Sequence, residues 1–384
     1  MRSSIRHLPL RWNPIGRGVV LITLSLLALG VVMVHSATVS LAASKAWYVR
    51  EEFRHTIHAA VAAAVLLLAW RFDYHHLARG RRLPVLPTLA LAFSLLLGLL
   101  VFVPGIGRQV GGDARWIRIE PAGYAVSFQP SELVKLGLIV FLAAWLSRTE
   151  KVGSFFRVFV PAAMLVGLCV AIVITQNFAT AAVIGLAACA TMLLAGVPWY
   201  YLASLVPPAV AGFYIFVVKT PHRWARIEAM LNPWAPGANT YQPQQSMLAI
   251  LTGGWWGKGP GSGIQKMGFL PEDHTDFIFS AFCEEWGFIG AVLLVGLVVM
   301  WTIQAYRAAA TAGDRFGRLL VGSLGFLISL QAVLHVAVDI GVAPPTGVSL
   351  PFISYGGTAL LLMALATAMI VSVTAHRGPE LADA

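Results

Sequence analysis

Charged residues are scarce in this sequence. Asp, Glu, Lys and Arg make up 11% of its 384 residues, whereas hydrophobic residues make up 58%. A water-soluble protein of this length needs more polar surface than these residues supply, so the composition excludes a soluble globular protein. The formal net charge of +10 would suggest nucleic-acid binding in a soluble chain, but here we predict no nucleic-acid partner.

Cysteine is also rare. The three cysteines, Cys169, Cys189 and Cys283, lie inside apolar runs at unrelated spacings. Neither a disulfide framework nor a metal-binding cluster has that pattern. We predict that the three side chains serve only in packing.

Two common signals are missing as well. The first apolar run follows Arg17 without an A-x-A-like cleavage site, which predicts a retained membrane anchor rather than a removed signal peptide. The glycine-rich segment GGWWGKGPGSG, residues 253–263, does not match G-x-x-x-x-G-K-[ST] and follows no predicted strand. The sequence therefore excludes a Walker-type phosphate-binding loop.

Long apolar runs, in contrast, recur along the whole chain. A transmembrane helix needs about 20 predominantly apolar residues. We predict an all-α polytopic membrane protein with ten transmembrane helices, and we find no sequence repeat between its halves. The predicted spans are residues 18–37, 55–71, 84–103, 130–146, 158–175, 179–196, 199–218, 276–305, 319–341 and 352–373.

The distribution of Lys and Arg predicts the orientation. If the N-terminus is cytoplasmic, the cytoplasmic segments carry more of the 27 Lys and Arg residues than the outer loops do, as expected of cytoplasmic loops. Both termini are therefore predicted to be cytoplasmic, with residues 1–17 before a single membrane domain, 18–376, and a short tail, 377–384, after it. Positive charge in the outer segments 104–129 and 219–275 indicates an anionic ligand there.

The large outer loop between spans seven and eight, residues 219–275, is too long to be a mere connection. Within it, Trp224, Ile227 and Leu231 would share one face of a helix, next to two arginines. That pattern is typical of a short helix lying in the membrane interface.

Three clusters at the outer face contain candidate functional residues. In the first, Gly111–Leu136, Glu132 and Lys135 are spaced to lie on one helical face. They form either a self-neutralising pair that lets a polar helix end enter the bilayer, or one wall of a polar cavity. Arg115 and Trp116, just upstream, either hold phosphate or anchor the loop at the lipid headgroups.

The second cluster is FLPEDHTDFIFSAFCEEWGFIG, Phe269–Gly290. Charge inside a bilayer is costly and is usually kept for a function. Asp276, Ser280 and Glu284 would share one helical face. Asp276 is either a helix N-cap, which Asp favours, or a group with a chemical role, whereas Glu284 and Glu285 are interpreted as hydrogen-bonding partners of neighbouring helices.

The third cluster is PPTGVSLPFISYGGTALL, Pro344–Leu361. Its prolines and the Gly356–Gly357 pair predict irregular backbone before the last span. Irregular backbone at membrane depth occurs where it is buried in protein or lines a polar cavity. Ser354 and Tyr355 would then be presented to that cavity, or the glycines would serve only close helix packing.

These clusters, in this order and spacing, resemble the SEDS family (shape, elongation, division and sporulation), whose members include RodA and FtsW. The similar motifs are ARWI with FQPSELVKL, YQPQQSMLAILTGGWWGKGPG with QKMGFLPEDHTDFIFSAFCEEWGFIG, and PTGVSLPFISYGGTALL. They are long and specific, and the resemblance covers nearly the whole chain. KMGFLPEDHTDFIF and TGVSLPFISYGG are more similar to FtsW than to RodA.

The resemblance implies a fold of ten transmembrane helices with both termini cytoplasmic. It implies a peptidoglycan glycosyltransferase that polymerises lipid II at the outer face of the bacterial cytoplasmic membrane, in cell division at the septum. The partners it implies are lipid II, the growing glycan strand, a class B penicillin-binding protein that crosslinks the product, and other membrane proteins of the divisome or elongasome.

The resemblance also assigns site residues. The Asp of the family's HTDFIF motif, which is the residue tied to catalysis, corresponds to Asp276. The residues predicted to bind substrate are Arg115, Trp116, Glu132, Lys135, Lys266, His274 and Ser354.

The sequence departs from the family pattern at four positions. QNFAT places Asn177 and Ala179 where Asp and Gly are usual, SYGGT has Thr358 where Ser is usual, and His335 stands where Asn is common. The loss of an Asp at 177 removes a potential polar partner from the cavity.

The implied chemistry explains why charge would lie at the outer end of a membrane helix. A carboxylate can act as general base for the attacking sugar hydroxyl, and positive charge must compensate the leaving diphosphate. The outer candidates for that charge are Arg115, Arg118, Arg223, Lys258 and Lys266. We predict no organic cofactor; a divalent cation such as magnesium is an alternative source of the charge.

Two other functions stay open at this point. A transporter that flips the lipid-linked precursor would place charged sites near the membrane midplane and relate its two halves by a repeat. A non-catalytic scaffold for division proteins would leave the buried charges without a role.

Overall fold

The structure is a computed structural model that describes residues 13–38, 50–80, 83–103, 107–110, 113–119, 126–235 and 240–376. Over these residues the chain is mostly helical. The predicted tail and most of the predicted N-terminal segment lie outside the described residues.

Thirteen α-helices follow one another in the described ranges. Their bounds are α1 (Pro14–Thr38), α2 (Glu51–Ala69), α3 (Val85–Leu100), α4 (Pro130–Ser147), α5 (Val160–Ile174), α6 (Phe178–Ala195), α7 (Trp199–Ala203), α8 (Val206–Phe213), α9 (Pro221–Leu231), α10 (Tyr241–Gly253), α11 (Ile278–Ala310), α12 (Arg315–Asp339) and α13 (Gly357–Ala375). A 3-10 turn, Tyr74–Ala78, precedes α3, and π-helical turns at Phe155–Phe159 and Tyr214–Val218 extend α5 and α8.

These helices account for the predicted spans. Among the described residues, nine helical segments are long and apolar enough to cross a membrane, and α3 is a shorter apolar helix. The seventh predicted span is α7, α8 and the π-helical turn Tyr214–Val218 taken together. The predicted class, a helical multi-pass membrane protein, is confirmed, whereas the count of ten crossings and their orientation stay predictions.

Polar capping residues and a glycine determine several helix ends. The Asn177 side chain accepts a hydrogen bond from the Thr180 N–H at 3.2 Å and begins α6. Asp314 does the same for the Gly317 N–H and begins α12. Gly196, with φ of 98°, ends α6 in the left-handed conformation that glycine adopts without steric cost.

The helix α4 lies at the centre of the bundle. All but three of its residues are buried, and it packs against α3, α6 and α12. Its apolar side chains therefore form a protein core rather than a lipid-facing surface. The exposed apolar side chains, such as Leu89, Met164 and Leu293, lie on outer helices, as expected of a surface that faces lipid.

A small antiparallel sheet, which the sequence did not predict, precedes α4. Its strands are β1 (Gly107–Val110), β2 (Asp113–Ile119) and β3 (Val126–Phe128), in the order β1-β2-β3. Gly107 pairs with Ile117, and Ile117 pairs with Phe128. The sheet holds the predicted site residues of β2 next to the N-terminus of α4.

The helix α11 is broken at Gly287, whose φ of 68° and ψ of −169° are not helical. The glycine-rich segment supplies the hydrogen bonds lost there: Gly254 O accepts from the Phe288 N–H at 2.9 Å and Trp255 O from the Ile289 N–H at 3.2 Å. A Cβ at Gly287 would stand 2.3 Å from the backbone nitrogen of Gly257. Glycine is therefore required where the two backbones cross, and a partner backbone satisfies the interrupted helix.

Glu284 and Glu285, just before this break, fasten the loop that follows α10. Glu284 accepts from the Ile264 N–H at 3.0 Å, the Gln265 N–H at 3.1 Å and Lys258 Nζ at 2.5 Å. The predicted hydrogen bonding to neighbouring helices is thus correct only in part, because most partners lie on a loop.

Candidate active site

A cavity of about 770 Å³ opens between α2, β2, α4, α6, α9, α12, the loop before α11 and the segment before α13. Its wall combines residues from far apart in the chain and includes carboxylates, cationic side chains and backbone. Among the lining residues are Glu51, Arg54, His58, Arg115, Trp116, Glu132, Lys135, Asn177, Arg226, Glu272, Asp276, Gln331, Gly347 and Tyr355.

Asp276 lines this cavity from the end of the loop before α11. The N-cap residue of α11 is Phe277, and no side chain of the loop caps the helix there, so the interpretation of Asp276 as an N-cap is not supported. The Asp276 N–H donates to Glu272 O at 3.0 Å, which closes a turn under the half-buried carboxylate. The carboxylate is left to face the cavity.

The electrostatics of Asp276 differ from those of an exposed carboxyl group. Burial raises the pKa of Asp276 to about 6, and the nearby Glu272 carboxylate adds to the rise. Arg115, Arg226 and His274 pull the pKa of Asp276 in the other direction. The group is therefore ionised at neutral pH but is a stronger base than an ordinary aspartate.

Glu132 and Lys135 form an ion pair within the cavity wall. Lys135 Nζ lies 2.8 Å from Glu132 Oε1 and 2.7 Å from Oε2, and the two side chains are 1% and 8% exposed. Pro130 begins α4, so the pair occupies its first two turns. The two charges therefore neutralise each other and also line the cavity.

Two arginines stand at the cavity and are anchored by the backbone. Arg115 Nε donates to Gln176 O at 2.8 Å, and Arg226 Nη1 donates to Pro345 O at 3.2 Å. Both also line an adjoining pocket of about 90 Å³. Arg226 lies on α9, which confirms the helix predicted around Trp224.

Arg223 lines the adjoining pocket of about 90 Å³ together with Arg115 and Arg226. Its guanidinium donates to the carbonyls of Ile174, Thr175 and Phe216 at 3.1–3.2 Å. It therefore satisfies the carboxyl ends of α5 and of the π-helical turn Tyr214–Val218.

Three of the predicted substrate-binding residues do not line the cavity. Lys266 Nζ donates to Glu285 Oε1 at 2.7 Å and to Ser36 Oγ at 2.8 Å, and its side chain is 7% exposed. Ser354 Oγ donates to Thr275 O at 2.8 Å. Lys266 therefore fastens the loop to α1 and α11, and Ser354 holds the backbone next to Asp276.

His274 is the third of these residues. Its Nε2 lies 3.2 Å from Glu51 Oε2 and its Nδ1 lies 3.0 Å from Asp273 Oδ1. Burial lowers the pKa of His274, but the hydrogen bond to Asp273 and the charge of Glu51 outweigh it and raise the pKa overall. His274 therefore contacts Glu51, which lines the cavity, but does not line the cavity itself.

Sequence reasoning missed part of the cavity wall. Glu51, Arg54 and His58 lie on the first turns of α2 and line the cavity. Their signal was the charged stretch REEFRHTIH just before an apolar run, the same pattern that marked Asp276. Nothing in the linear sequence connects residue 51 with residue 276, so this pattern alone does not place the two residues in one site.

One departure from the family pattern lines the cavity, and a second contacts residues of its wall. Asn177 lines it while capping α6, and Thr358 Oγ1 lies 3.4 Å from both Gln129 N and Ser127 O. In the described part of the chain, no group of three or more His, Cys, Asp and Glu side chains is arranged to hold a metal ion.

The fold and the site together define a multi-pass membrane protein with a charged cavity at one end of its helical bundle. The chain belongs to the cell cycle protein family of FtsW, RodA and SpoVE, whose family model matches residues 17–378. The family resemblance seen in the motifs is thereby confirmed.

Similar proteins match nearly the whole chain. A probable peptidoglycan glycosyltransferase FtsW of Geobacter sp. strain M18 is 36% identical over 363 residues, which cover 93% of this chain and 95% of the relative. The corresponding protein of Geobacter metallireducens is 37% identical over 93% of both chains. The predicted activity and the greater similarity to FtsW agree with the names of these relatives.

Solved structures share the fold. A structure of a peptidoglycan synthase complex, described as coordinating polymerization and crosslinking, includes a chain with a TM-score of 0.75 and 25% identity; the match covers 94% of this chain and 98% of that one. The rod shape determining protein RodA of Thermus thermophilus has a TM-score of 0.65 and 25% identity, with coverage of 97% and 99%.

Proposed function

We propose that this chain is a peptidoglycan glycosyltransferase, which polymerises lipid II into glycan strands at the outer face of the cytoplasmic membrane and releases polyprenyl diphosphate. One observation carries the proposal: a carboxylate with a raised pKa, Asp276, faces a large cavity that Arg115, Arg226 and Lys135 also line. A base and compensating cations in one cavity are what glycosyl transfer from a diphosphate requires.

In the proposed reaction, Asp276 acts as general base. Its carboxylate accepts the proton of the 4-hydroxyl group of one disaccharide as the hydroxyl oxygen attacks the anomeric carbon of the other substrate. The bond from that carbon to the diphosphate oxygen breaks, and the diphosphate leaves with the electron pair. The proton then resides on Asp276 and passes to water before the next turnover.

We assign charge compensation to the two arginines. The backbone bonds of Arg115 and Arg226 hold each guanidinium at the edge shared by the cavity and the smaller pocket. A guanidinium presents several donors in a fixed plane and suits phosphate oxygens. A divalent cation such as magnesium, brought by the diphosphate itself, would share this task.

We assign sugar positioning to the Glu132–Lys135 pair. Two bonds tie the ammonium group to the carboxylate, and an ammonium group has three donors. The third donor and the remaining carboxylate lone pairs can bind hydroxyl groups without a change in net charge.

The flippase hypothesis is less well supported by the position of the charges. Asp276 precedes α11, and Glu132 and Lys135 lie in the first turns of α4. Charges at helix ends suit chemistry at a membrane surface, whereas a transporter would hold its substrate near the midplane.

We also propose ten membrane crossings with both termini cytoplasmic, a location at the division septum, and a class B penicillin-binding protein as partner. The solved synthase complex, in which polymerization and crosslinking are coordinated, supports the partnership.

Polymerisation of lipid II by the purified chain tests the activity. Asp276→Asn keeps the side-chain volume but removes the base, so glycan strands should not form although the variant inserts and folds. Glu150→Gln, on an exposed loop, is the matched control for loss of one carboxylate and should be fully active. Turnover by Asp276→Asn at the wild-type rate would exclude the base assignment.

Co-purification tests the partnership. The chain purified from its native membrane should bring a class B penicillin-binding protein with it, and the complex should polymerise lipid II faster than the chain alone. Equal rates at matched lipid II would contradict activation by the partner, and absence of any such protein would contradict the association.

A further inference from the structure

A buried pair of titratable residues lies behind Asp276 and has no part in the mechanism above. His335 and Asp339 stand one turn apart on α12, with His335 Nε2 3.7 Å from Asp339 Oδ2, and both side chains are 0% exposed. Burial of such groups is costly unless their partners compensate. Their partners therefore indicate what the pair does.

Asp339 is bound to the first turn of α11. Its Oδ2 accepts from the Ser280 N–H at 2.9 Å and from Ser280 Oγ at 3.1 Å. The first backbone N–H groups of a helix have no partner within the helix, and the Phe277 N-cap supplies no side-chain acceptor. The side chain of Asp339, on another helix, thus caps the helix that begins two residues after Asp276.

A second serine strengthens this attachment. Ser246 Oγ, on α10, donates to Asp339 O at 2.8 Å and lies 2.6 Å from Ser280 Oγ. All three residues are buried. The start of α11 is therefore tied to α10 and to the end of α12 through one hydrogen-bonded group.

His335 reaches the backbone on the other side of Asp276. Its Nδ1 donates to Val348 O at 2.7 Å, since a carbonyl oxygen can only accept. Val348 lines the cavity, and its neighbour Gly347 lies so close to Asp276 that a Cβ there would stand 3.3 Å from Asp276 Oδ2. His335 thus holds the backbone against which the carboxylate rests.

The two attachments meet within α12. Asp339 binds the first turn of α11, which follows Asp276 in the chain. His335 binds the backbone of Val348 in the segment beside Asp276. The side chains of Asp339 and His335 face each other. We infer that Asp339 and His335 are positioning residues, which fix the Asp276 carboxylate between the first turn of α11 and the Gly347–Val348 backbone. The inference rests on the proposed function in so far as Asp276 is the base.

Substitutions at 339 separate positioning from simple stabilisation. Asp339→Asn keeps an oxygen that can accept from the Ser280 N–H and should keep most of the polymerisation rate. Asp339→Ala removes the acceptor and should lower kcat by about 100-fold, the effect of a misplacement of about 1 Å, with little change in KM. Ser323→Ala, a buried hydroxyl on the same helix, is the control and should match the wild type.

Substitutions at 335 follow the same logic and do not depend on whether Asp339→Ala folds. His335→Asn keeps a donor for Val348 O and should remain active, whereas His335→Leu should lose kcat without a comparable rise in KM. Wild-type kcat in folded Asp339→Ala or His335→Leu would overturn the inference. Equal loss in Asp339→Asn and Asp339→Ala would overturn it as well.

A measurement without substrate distinguishes failure of this inference from failure of the proposed function. Amide hydrogen exchange of residues 276–282 should increase in Asp339→Ala and remain at the wild-type level in Asp339→Asn and Ser323→Ala. Unchanged exchange in Asp339→Ala would contradict positioning. If hydrogen exchange differs among the variants in this way but the wild-type chain does not polymerise lipid II, only the proposed function is contradicted.

Discussion

Gly347 lies against the carboxylate of Asp276. Its φ is 68°, and a Cβ built on it would stand 3.3 Å from Asp276 Oδ2 and 3.9 Å from Arg115 Nη1. The Pro344–Leu361 cluster therefore contributes backbone to the candidate active site, while Ser354 secures that backbone to Thr275.

Gly347→Ala should impair both folding and catalysis. The left-handed conformation costs a residue with a Cβ roughly 1–2 kcal/mol, and the new methyl group would press on the Asp276 carboxylate. We expect a lower melting temperature and a clear loss of kcat in a purified lipid II assay. Gly261→Ala has a comparable φ of 79° with open space around its Cβ, so it should lose stability only; equal activities of the two variants would contradict the contact.

The pH dependence of the rate should report Asp276. With a pKa of about 6, the base is protonated in acid, so kcat/KM should fall about tenfold per pH unit below pH 6 and level off above it. The measurement is the initial polymerisation rate between pH 5 and pH 9 at matched lipid II. A rate that is flat down to pH 5 would exclude titration of the base near pH 6.

The contribution of Asp276 to protein stability should change with pH in the direction opposite to its contribution to the rate. The folded pKa of Asp276 lies above the ordinary value of 3.8, so the folded state binds the proton more tightly than the unfolded state. The resulting stabilisation is complete below about pH 3.8 and is lost as the pH rises through about 6. Relative to the wild type, Asp276→Asn should therefore gain thermal stability as the pH is raised from 4 to 8; a constant difference would contradict the raised pKa.

The Glu132–Lys135 pair should behave as one unit. Glu132→Gln or Lys135→Met alone leaves a buried charge without its partner, which costs roughly 3–5 kcal/mol. Each variant should therefore express poorly and lose activity. The double charge reversal Glu132→Lys with Lys135→Glu should restore expression but not activity; single variants with normal melting temperatures would show that the pair is not a buried ion pair.

Lys266 offers a test between the sequence prediction and the structure. As a partner of Glu285 and Ser36, it should affect stability rather than substrate binding. Lys266→Met should lower the melting temperature while leaving the KM for lipid II unchanged in the protein that remains folded. A large rise in KM with normal stability would favour the predicted contact with substrate.

Much of the architecture could be predicted from the sequence because a bilayer imposes strict local requirements. A crossing helix must be a long apolar run, and the runs at 130–146 and 179–196 correspond to α4 and α6 within a residue or two. Charges such as Asp276, Glu132 and Lys135 were recognisable as functional candidates because polar groups are costly at membrane depth.

The tertiary structure alone decided which charges share one cavity. Asp276, Glu132 and Lys135 line it together with Glu51 and Arg226. Lys266 is an equally plausible candidate by sequence, but its ammonium group donates hydrogen bonds to Glu285 and Ser36. Whether a polar side chain faces a cavity or a partner depends on contacts between residues far apart in the chain, and no local periodicity encodes those contacts.

The same limit applies to the backbone. The sheet β1-β2-β3 and the break of α11 at Gly287 depend on pairing with other segments, so the sequence predicts only an outer segment at 104–129 and one uninterrupted span at 276–305. In the sequence, His335 and Asp339 are only two polar residues in an apolar span. Its contacts with Ser280 and Val348 exist only once α11, α12 and the segment before α13 have packed together.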